Sequence, residues 1–487
     1  MYKKSIHFLL FSLLSSCSIL LPGKHTLKSN QNKAEQYSKT ITQIELKKHL
    51  KIISSDEFEG RETTTIGQKK AANYIKNHFI ETNTKSALKD TGFFQEFPVE
   101  VLDFSKVELY YNKTKLNFIN DFYPYGNPIN NSYENIPIVN VGYGILSQNR
   151  NDYLGKKTKG KVVFINQGLP QNNTEDIKEG NWRRKVQTAS KKGAVGVVFL
   201  KSDYANSDQR IKEYLKKPFM QLHGNQKTKA QIPVFVVDEN IIKTLNKDSN
   251  TITFNTNVSQ MKTGENVLGF IPGVTDEIIV ISAHYDHIGY DRGEICNGAD
   301  DDGSGTSSLL SISKAFQKAF DEGNQPNRGI LFLAVSGEEK GLFGSQYYTE
   351  NPVFPLNKTI ADLNIDMVGR QDTVQKDNNY IYLIGSDRIS KELHTINEQV
   401  NNKHIGFKLD YTYNAKDDPN NFYQRSDHYN FAKNNIPVIF YFGGLHEDYH
   451  KPTDDFEKID FFKLERVSRF VFLTAWELAY RKKTLTK

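Results

Sequence analysis

Ile278-Ile279-Val280-Ile281-Ser282-Ala283-His284-Tyr285-Asp286-His287 is the stretch on which the fold turns. A nearly unbroken apolar run gives way at once to polar, ionisable residues. A strand with one wet face alternates apolar and polar positions; an uninterrupted run marks a strand covered on both faces, as in a parallel sheet between helices. Three later runs repeat the pattern: Ile330 to Val335, Ile360 to Ile365, and Val438 to Phe442. Between the first two runs, Leu309, Ile312, Phe316 and Phe320 recur at helical spacing and form a packing stripe. The expected fold is therefore α/β, a three-layer sandwich around a mixed, mainly parallel sheet.

Working outward, each run is followed by residues suited to a cation. His284-Tyr285-Asp286-His287 follows the first, Gly337-Glu338-Glu339 the second, Asp366 ends the third, and His450 lies in the loop after the fourth. Asp300-Asp301-Asp302 precedes the helical stripe. Open α/β sheets bind ligands beyond the carboxyl ends of their strands, so these positions converge on one place. Singly they are ordinary: an aspartate triplet before a helix is usually a cap, and adjacent glutamates are usually a solvated face. Their joint occurrence at successive strand ends is what points to a site.

The remainder of the chain divides by composition. Lys3 and Lys4 precede a short apolar run, Ile6 to Leu14, which ends in Leu14-Ser15-Ser16-Cys17. The run is too short to span a bilayer and reads as an export signal over residues 1–17, with Cys17 in a lipobox-like position; a plain secretory peptide is the alternative. Lipidation at Cys17 places the protein at a bacterial membrane, in the periplasm or at the cell surface. Residues 18–39 are polar and read as a flexible tether. Helical periodicity begins near Ile41, and residues 40–135 form the first part of the domain that carries these strand ends. Residues 136–262 carry separate short strands, Lys161 to Ile165, Gly193 to Phe199 and Ile232 to Val237, with a helix over Lys185 to Lys192, and contain no candidate catalytic cluster. Residues 263–487 complete the first domain. The formal charge is only +6 and is scattered, with no Arg-rich block, so nucleic acid is not the expected partner. Cys296 is the one cysteine besides Cys17; it has no partner if Cys17 is acylated and reads as a small structural residue.

The segments "ISAHYDHIG", "NGADDDGSG", "VSGEEKGLFGS", "NIDMVG" and "YHKPTDD", with "SSDEFEGRET" and "FFQEFPVE" upstream, resemble the M28 family of metallopeptidases. The resemblance runs from about Ile41 to about Tyr480 and implies a zinc-exopeptidase fold. It also implies a pair of zinc ions, for which cobalt or manganese can substitute. Asp300 would bridge the ions, His284 and Asp366 would complete one site, and Glu339 and His450 the other. Asp286 would orient His284 as an outer carboxylate, and Glu338 would be the general base. Tyr423 would either hydrogen-bond the oxyanion or pack as a loop aromatic, and Asp454 would either orient His450 or form a turn. His287, His428 and His446 would serve loop structure, and the Asp300–Asp301 peptide would be cis. The middle segment, through "GKVVFI", "AVGVVF" and "IPVFVV", resembles the β-rich protease-associated (PA) domain. The implied activity is release of the N-terminal residue from peptides. The alternatives are a glutaminyl cyclase or carboxypeptidase of the same fold, and a non-catalytic membrane-anchored binding protein.

Overall fold

The apolar runs form neighbouring strands of one large sheet. In chain order its strands are β1 (Phe94–Leu102), β2 (Phe219–Leu222), β3 (Ser259–Ile271), β4 (Ile278–His284), β5 (Gly329–Val335), β6 (Thr359–Asp366), β7 (Tyr380–Ile384), β8 (Lys408–Asp410) and β9 (Val438–Phe442). Across the sheet the order is β8-β7-β9-β6-β4-β5-β3-β1-β2, with Lys85–Ser86 pairing off this path against β3. This is a computed structural model, and it describes residues 32–89, 92–126, 130–170, 177–207, 209–224, 232–245 and 250–487. The signal segment and Cys17 lie outside the described residues. Among those residues, no helix is long and apolar enough to cross a membrane.

The central strands β9, β6, β4 and β5 are parallel, while β7 on one side and β3, β1 and β2 on the other add antiparallel pairing. The sheet is thus mixed, parallel at its centre and again between β7 and β8 at one edge. Every residue of β4 and β5 is buried, as continuous apolar runs require. One face is covered by helices Gly305–Asp321 and Phe461–Tyr480, where the Phe316 ring lies 4.4 Å from Phe472 and 5.9 Å from Trp476. Helices Phe343–Glu350 and His428–Lys433 cover the other face, packing Tyr348 and Phe431 with Leu331, Leu333 and Val438. Each fully buried side chain of this size contributes roughly 1.5–3 kcal/mol, so the strand ends are held by a stiff scaffold.

Two expected boundaries move. The tether ends earlier than residue 39, because residues 32–38 form a helix docked on the domain. Ala34 and Tyr37 lie one turn apart and are buried; Tyr37 stacks on Trp476 at 5.7 Å and donates its hydroxyl to Glu322 at 2.6 Å. The polar composition concealed this small apolar face. The inserted unit also begins before residue 136. Its eight-stranded sheet opens with Glu108–Tyr111 and Thr114–Lys115 and closes with Thr251–Asn255. The early strands are short and alternate in burial, with only Leu109 and Tyr111 inside, so no apolar run announces them. The unit has apolar clusters of its own, one around Val163, Phe199 and Val236 and another around Phe164, Phe235 and Phe254. It is not fully separate: β2 comes from within it and extends the large sheet beside β1.

Candidate metal centre

The carboxyl ends of β4, β5 and β6 sit side by side, and the residues just beyond them converge. Asp301 stands at the middle. One of its carboxylate oxygens, Oδ1, is 3.4 Å from His284 Nε2; the other, Oδ2, is 3.2 Å from His450 Nε2. Asp366 Oδ1 lies 3.5 Å from His284 Nε2, and Glu339 Oε2 lies 3.0 Å from His450 Nε2. Two sets of ligand atoms result, His284 with Asp301 and Asp366, and His287 with Asp301 and Glu339; within each, all atoms lie within 4.8 Å of one another. Asp301 belongs to both.

The acid shared by the two groups is therefore Asp301, and Asp300 belongs to neither. The three adjacent aspartates do three different jobs. Asp300 Oδ1 accepts the Gly369 N–H at 2.6 Å, and its Oδ2 faces His446 Nε2 at 3.3 Å, away from the cluster. Asp302 Oδ1 accepts the N–H groups of Gly305 and Met367 at 2.8 and 3.1 Å and caps the buried helix. The cis peptide is likewise displaced by one residue, to Asp301–Asp302. No feature of the triplet itself distinguishes its members; the distinction comes from which carboxylate the helix start consumes.

Other expected roles are refined. His284 Nδ1 lies 3.1 Å from the backbone carbonyl of Asp286 and 3.9 Å from that residue's carboxylate, so the carbonyl sets the ring's orientation. The Asp286 carboxylate instead accepts the Glu338 N–H at 3.3 Å and the Thr63 hydroxyl at 2.8 Å, which fixes the Glu338 backbone. Asp454 does not reach His450; its carboxylate accepts the N–H groups of Asp300 and Asp301, each at 3.1 Å to Oδ2, and so holds the shared residue. His287 does more than shape a loop, since its Nδ1 lies 2.8 Å from Glu339 Oε1. The Tyr423 ring packs under the Arg388 guanidinium, 3.8 Å away, and against His428 at 5.6 Å, which is the packed-aromatic alternative. The cleft beside the cluster is lined by Glu338, Phe422, Phe440, Phe442, Arg425 and Tyr449, among others. Tyr449 stacks on His450 at 3.9 Å and is among the residues that line the cleft.

Arg61 also escaped the sequence reading, although it lies within the SSDEFEGRET segment. It is wholly buried and donates to the carbonyls of Tyr285, Ile53, Asn297 and Gly298 at 2.6–2.9 Å. One side chain thereby ties together the loops that carry His284 and Asp301. Glycine is required beside it: Gly60 has φ +62°, and a Cβ there would meet the Cys296 carbonyl at 2.4 Å.

Charge crowding defines the site's electrostatics. Burial pushes the Glu338 carboxyl well above its usual range, and Glu339 and Asp366 push it further against the pull of His284. Burial and Asp301 raise Glu339 too, but His287 and His450 outweigh them and hold it at about 2. Burial opposes a charged His450, yet Asp301 and Glu339 raise it to about 10. Glu339 Oε1 and His450 Nε2 are at ion-pair distances but satisfy no hydrogen-bond geometry. Buried acids in excess, imidazoles and orphaned donor atoms together fit divalent cations of the zinc type.

Residues 266–475 match the model of peptidase family M28. A probable leucine aminopeptidase of Arthroderma otae is 31% identical over 223 residues, covering 44% of this chain and 57% of that protein, so the match spans little more than half of that relative. Aminopeptidase YwaD of Bacillus subtilis is 25% identical over 367 residues, 71% of this chain and 68% of that protein. Among solved structures, the aminopeptidase from Aneurinibacillus sp. strain AM-1 shares the fold at a TM-score of 0.53 and 20% identity, across 93% of this chain and 98% of that one.

Proposed function

We propose that the protein is an aminopeptidase that binds two zinc ions across Asp301 and releases the N-terminal residue of peptides. The observation that carries this reading is the sharing of Asp301 between two groups of ligand atoms. His284 and Asp366 would complete one ion's set, and Glu339 and His450 the other's. His287, buried behind Glu339, would orient that carboxylate. Cobalt or manganese would fit the same oxygen and nitrogen donors. When bound, the zinc pair supplies Lewis acidity and makes water acidic enough to attack near neutral pH.

This chain's own residues do the rest. Glu338 lines the cleft beside His284, Asp301 and Asp366 but makes no ligand-type contact itself. Its burial and acidic neighbours give it the proton affinity to take a proton from the attacking water and hand it to the leaving amine. Asp286 keeps it in place through its backbone N–H. Aromatic side chains wall the cleft, exclude water and offer an apolar surface to the substrate's first side chain. The complete donor set favours this reading over a non-catalytic binding protein. The inserted unit, with the PA-like order of strands, would control access to the cleft. Cys17 would anchor the exported protein through lipid; if Cys17→Ser and the parent partition alike in detergent phase separation, that part is wrong.

The test is metal content measured beside hydrolysis of leucyl-nitroanilide. Chelated protein should be inactive and should regain activity on adding zinc. Folded protein that takes up no zinc, or zinc-loaded protein that cleaves no aminoacyl substrate, would refute the proposal.

A further inference from the structure

Arg425 is the one Lys or Arg side chain that lines the cleft. It is exposed, its guanidinium lies 4.7 Å from the Phe422 ring centroid, and it donates to the Tyr449 hydroxyl at 3.3 Å. No carboxylate pairs with it among the described residues. The other cations around the site are already committed: Arg370 to Asp448 at 2.9 Å, Lys340 to Glu62 at 2.7 Å, and Arg388 to the Asn414 carbonyl at 2.7 Å. Arg425 thus combines an unpaired guanidinium, a position at the cleft, and a link through Tyr449 to the His450 ring. The same cleft is also lined by acids, Glu338, Asp366 and Asp301. A molecule with an ammonium at one end and a carboxylate at the other is complementary to such a cleft.

We propose that Arg425 is a specificity-determining residue that binds a carboxylate of the peptide substrate. This rests on the aminopeptidase reading, in which these acids face the substrate's ammonium. A guanidinium can clamp a carboxylate with two parallel hydrogen bonds, and stacking on Phe422 and the bond to Tyr449 hold its plane in place beforehand. The carboxylate has two possible sources. It is the side chain of an acidic N-terminal residue, or it is the α-carboxylate of a dipeptide.

Two isosteric pairs separate these sources, using the zinc-loaded full chain. Glu-Ala-Ala-amide against Gln-Ala-Ala-amide isolates a side-chain carboxylate; Leu-Gly against Leu-Gly-amide isolates the terminal one. The parent should favour the charged member of one pair by about fivefold to tenfold in kcat/KM at low salt, and the preference should shrink as ionic strength rises. In Arg425→Gln that ratio should fall to about one, and Arg425→Lys should keep part of it. The pair that shows the preference identifies the source. The inference is overturned if the parent discriminates in neither pair or if Arg425→Gln keeps the discrimination. It is also overturned if Arg425→Gln changes all the peptides by one common factor, which is the mark of a diffuse charge effect. Failure of the parent to cleave any of these peptides would instead sink the aminopeptidase reading, and this inference with it.

Discussion

Val162–Asn166, Gly196–Lys201 and Val234–Asp238 in the second sheet are as apolar and as parallel as β4, β5 and β6 in the first. What differs is the residue just past each strand. In the inserted unit Asp238 ends a strand, and its carboxylate accepts the Asn240 N–H at 2.9 Å, starting the helix Glu239–Thr244. The acid is consumed locally. In the catalytic unit Asp302 takes that capping work, which leaves Asp301 free to face His284 and His450. Among the described residues, groups of three potential ligands occur only there. A parallel sheet supplies the platform in both units; chemistry appears where carboxylates and imidazoles outnumber the backbone donors waiting to be satisfied.

The comparison breaks or sharpens at particular residues. The largest effect should come from Asp301→Asn. It removes the shared charge, so the protein should lose its bound zinc on dialysis and its activity with it; Asp300→Asn should keep zinc. If metal analysis gives the reverse, the bridging role belongs to Asp300 after all. Next is Glu338→Gln, which keeps shape but removes the base: zinc should remain while kcat falls by roughly two to four orders of magnitude. Glu339→Gln should weaken one ion instead and recover some activity at high added zinc. Loss of zinc from Glu338→Gln would reverse the two roles.

Smaller effects belong to the second sheet. Phe254→Ala, at a fully buried ring 5.4 Å from Phe235, should cost about 3–5 kcal/mol in denaturant unfolding of the inserted unit. Zinc content should not change, and a parallel loss of zinc would show that the two units unfold as one. Asp238→Ala should cost only about 1 kcal/mol, the ordinary value of a helix cap, with unchanged kcat. A large drop in kcat would mean that the inserted unit contributes to the chemistry.

The parts of this architecture visible in the sequence were those with strong, local periodicity. The runs at Ile278, Ile330, Ile360 and Val438 each became a strand, nearly residue for residue. β1 and the first half of β3 were not legible as strands. β1 interleaves Glu96 and Glu100 with buried positions, and Ser259 to Thr263 of β3 are nowhere buried. At the site, His284, Glu339, Asp366 and His450 come together as their positions at strand ends implied. The choice among Asp300, Asp301 and Asp302 was not legible, because it depends on which N–H groups the fold delivers to each carboxylate. Arg61 was hidden for a related reason: its partners are main-chain carbonyls, which no side-chain motif records. Tyr449 and Arg425 lie on loops whose approach is set only by the tertiary fold.

β2 carries a consequence for anyone trimming the molecule. Val99 to Leu102 of β1 pair with Leu222 to Phe219, so this short segment shields the outermost rim of the catalytic sheet. Deleting the inserted unit would strip that shield and leave a row of unmatched amides and carbonyls, a template on which another copy can add its own strand. A deletion variant should therefore scatter light and sediment as higher-order species at concentrations where the parent does not. Retaining residues 219–222 on a short linker, or placing a lysine on the bare rim, should restore the parent's solubility.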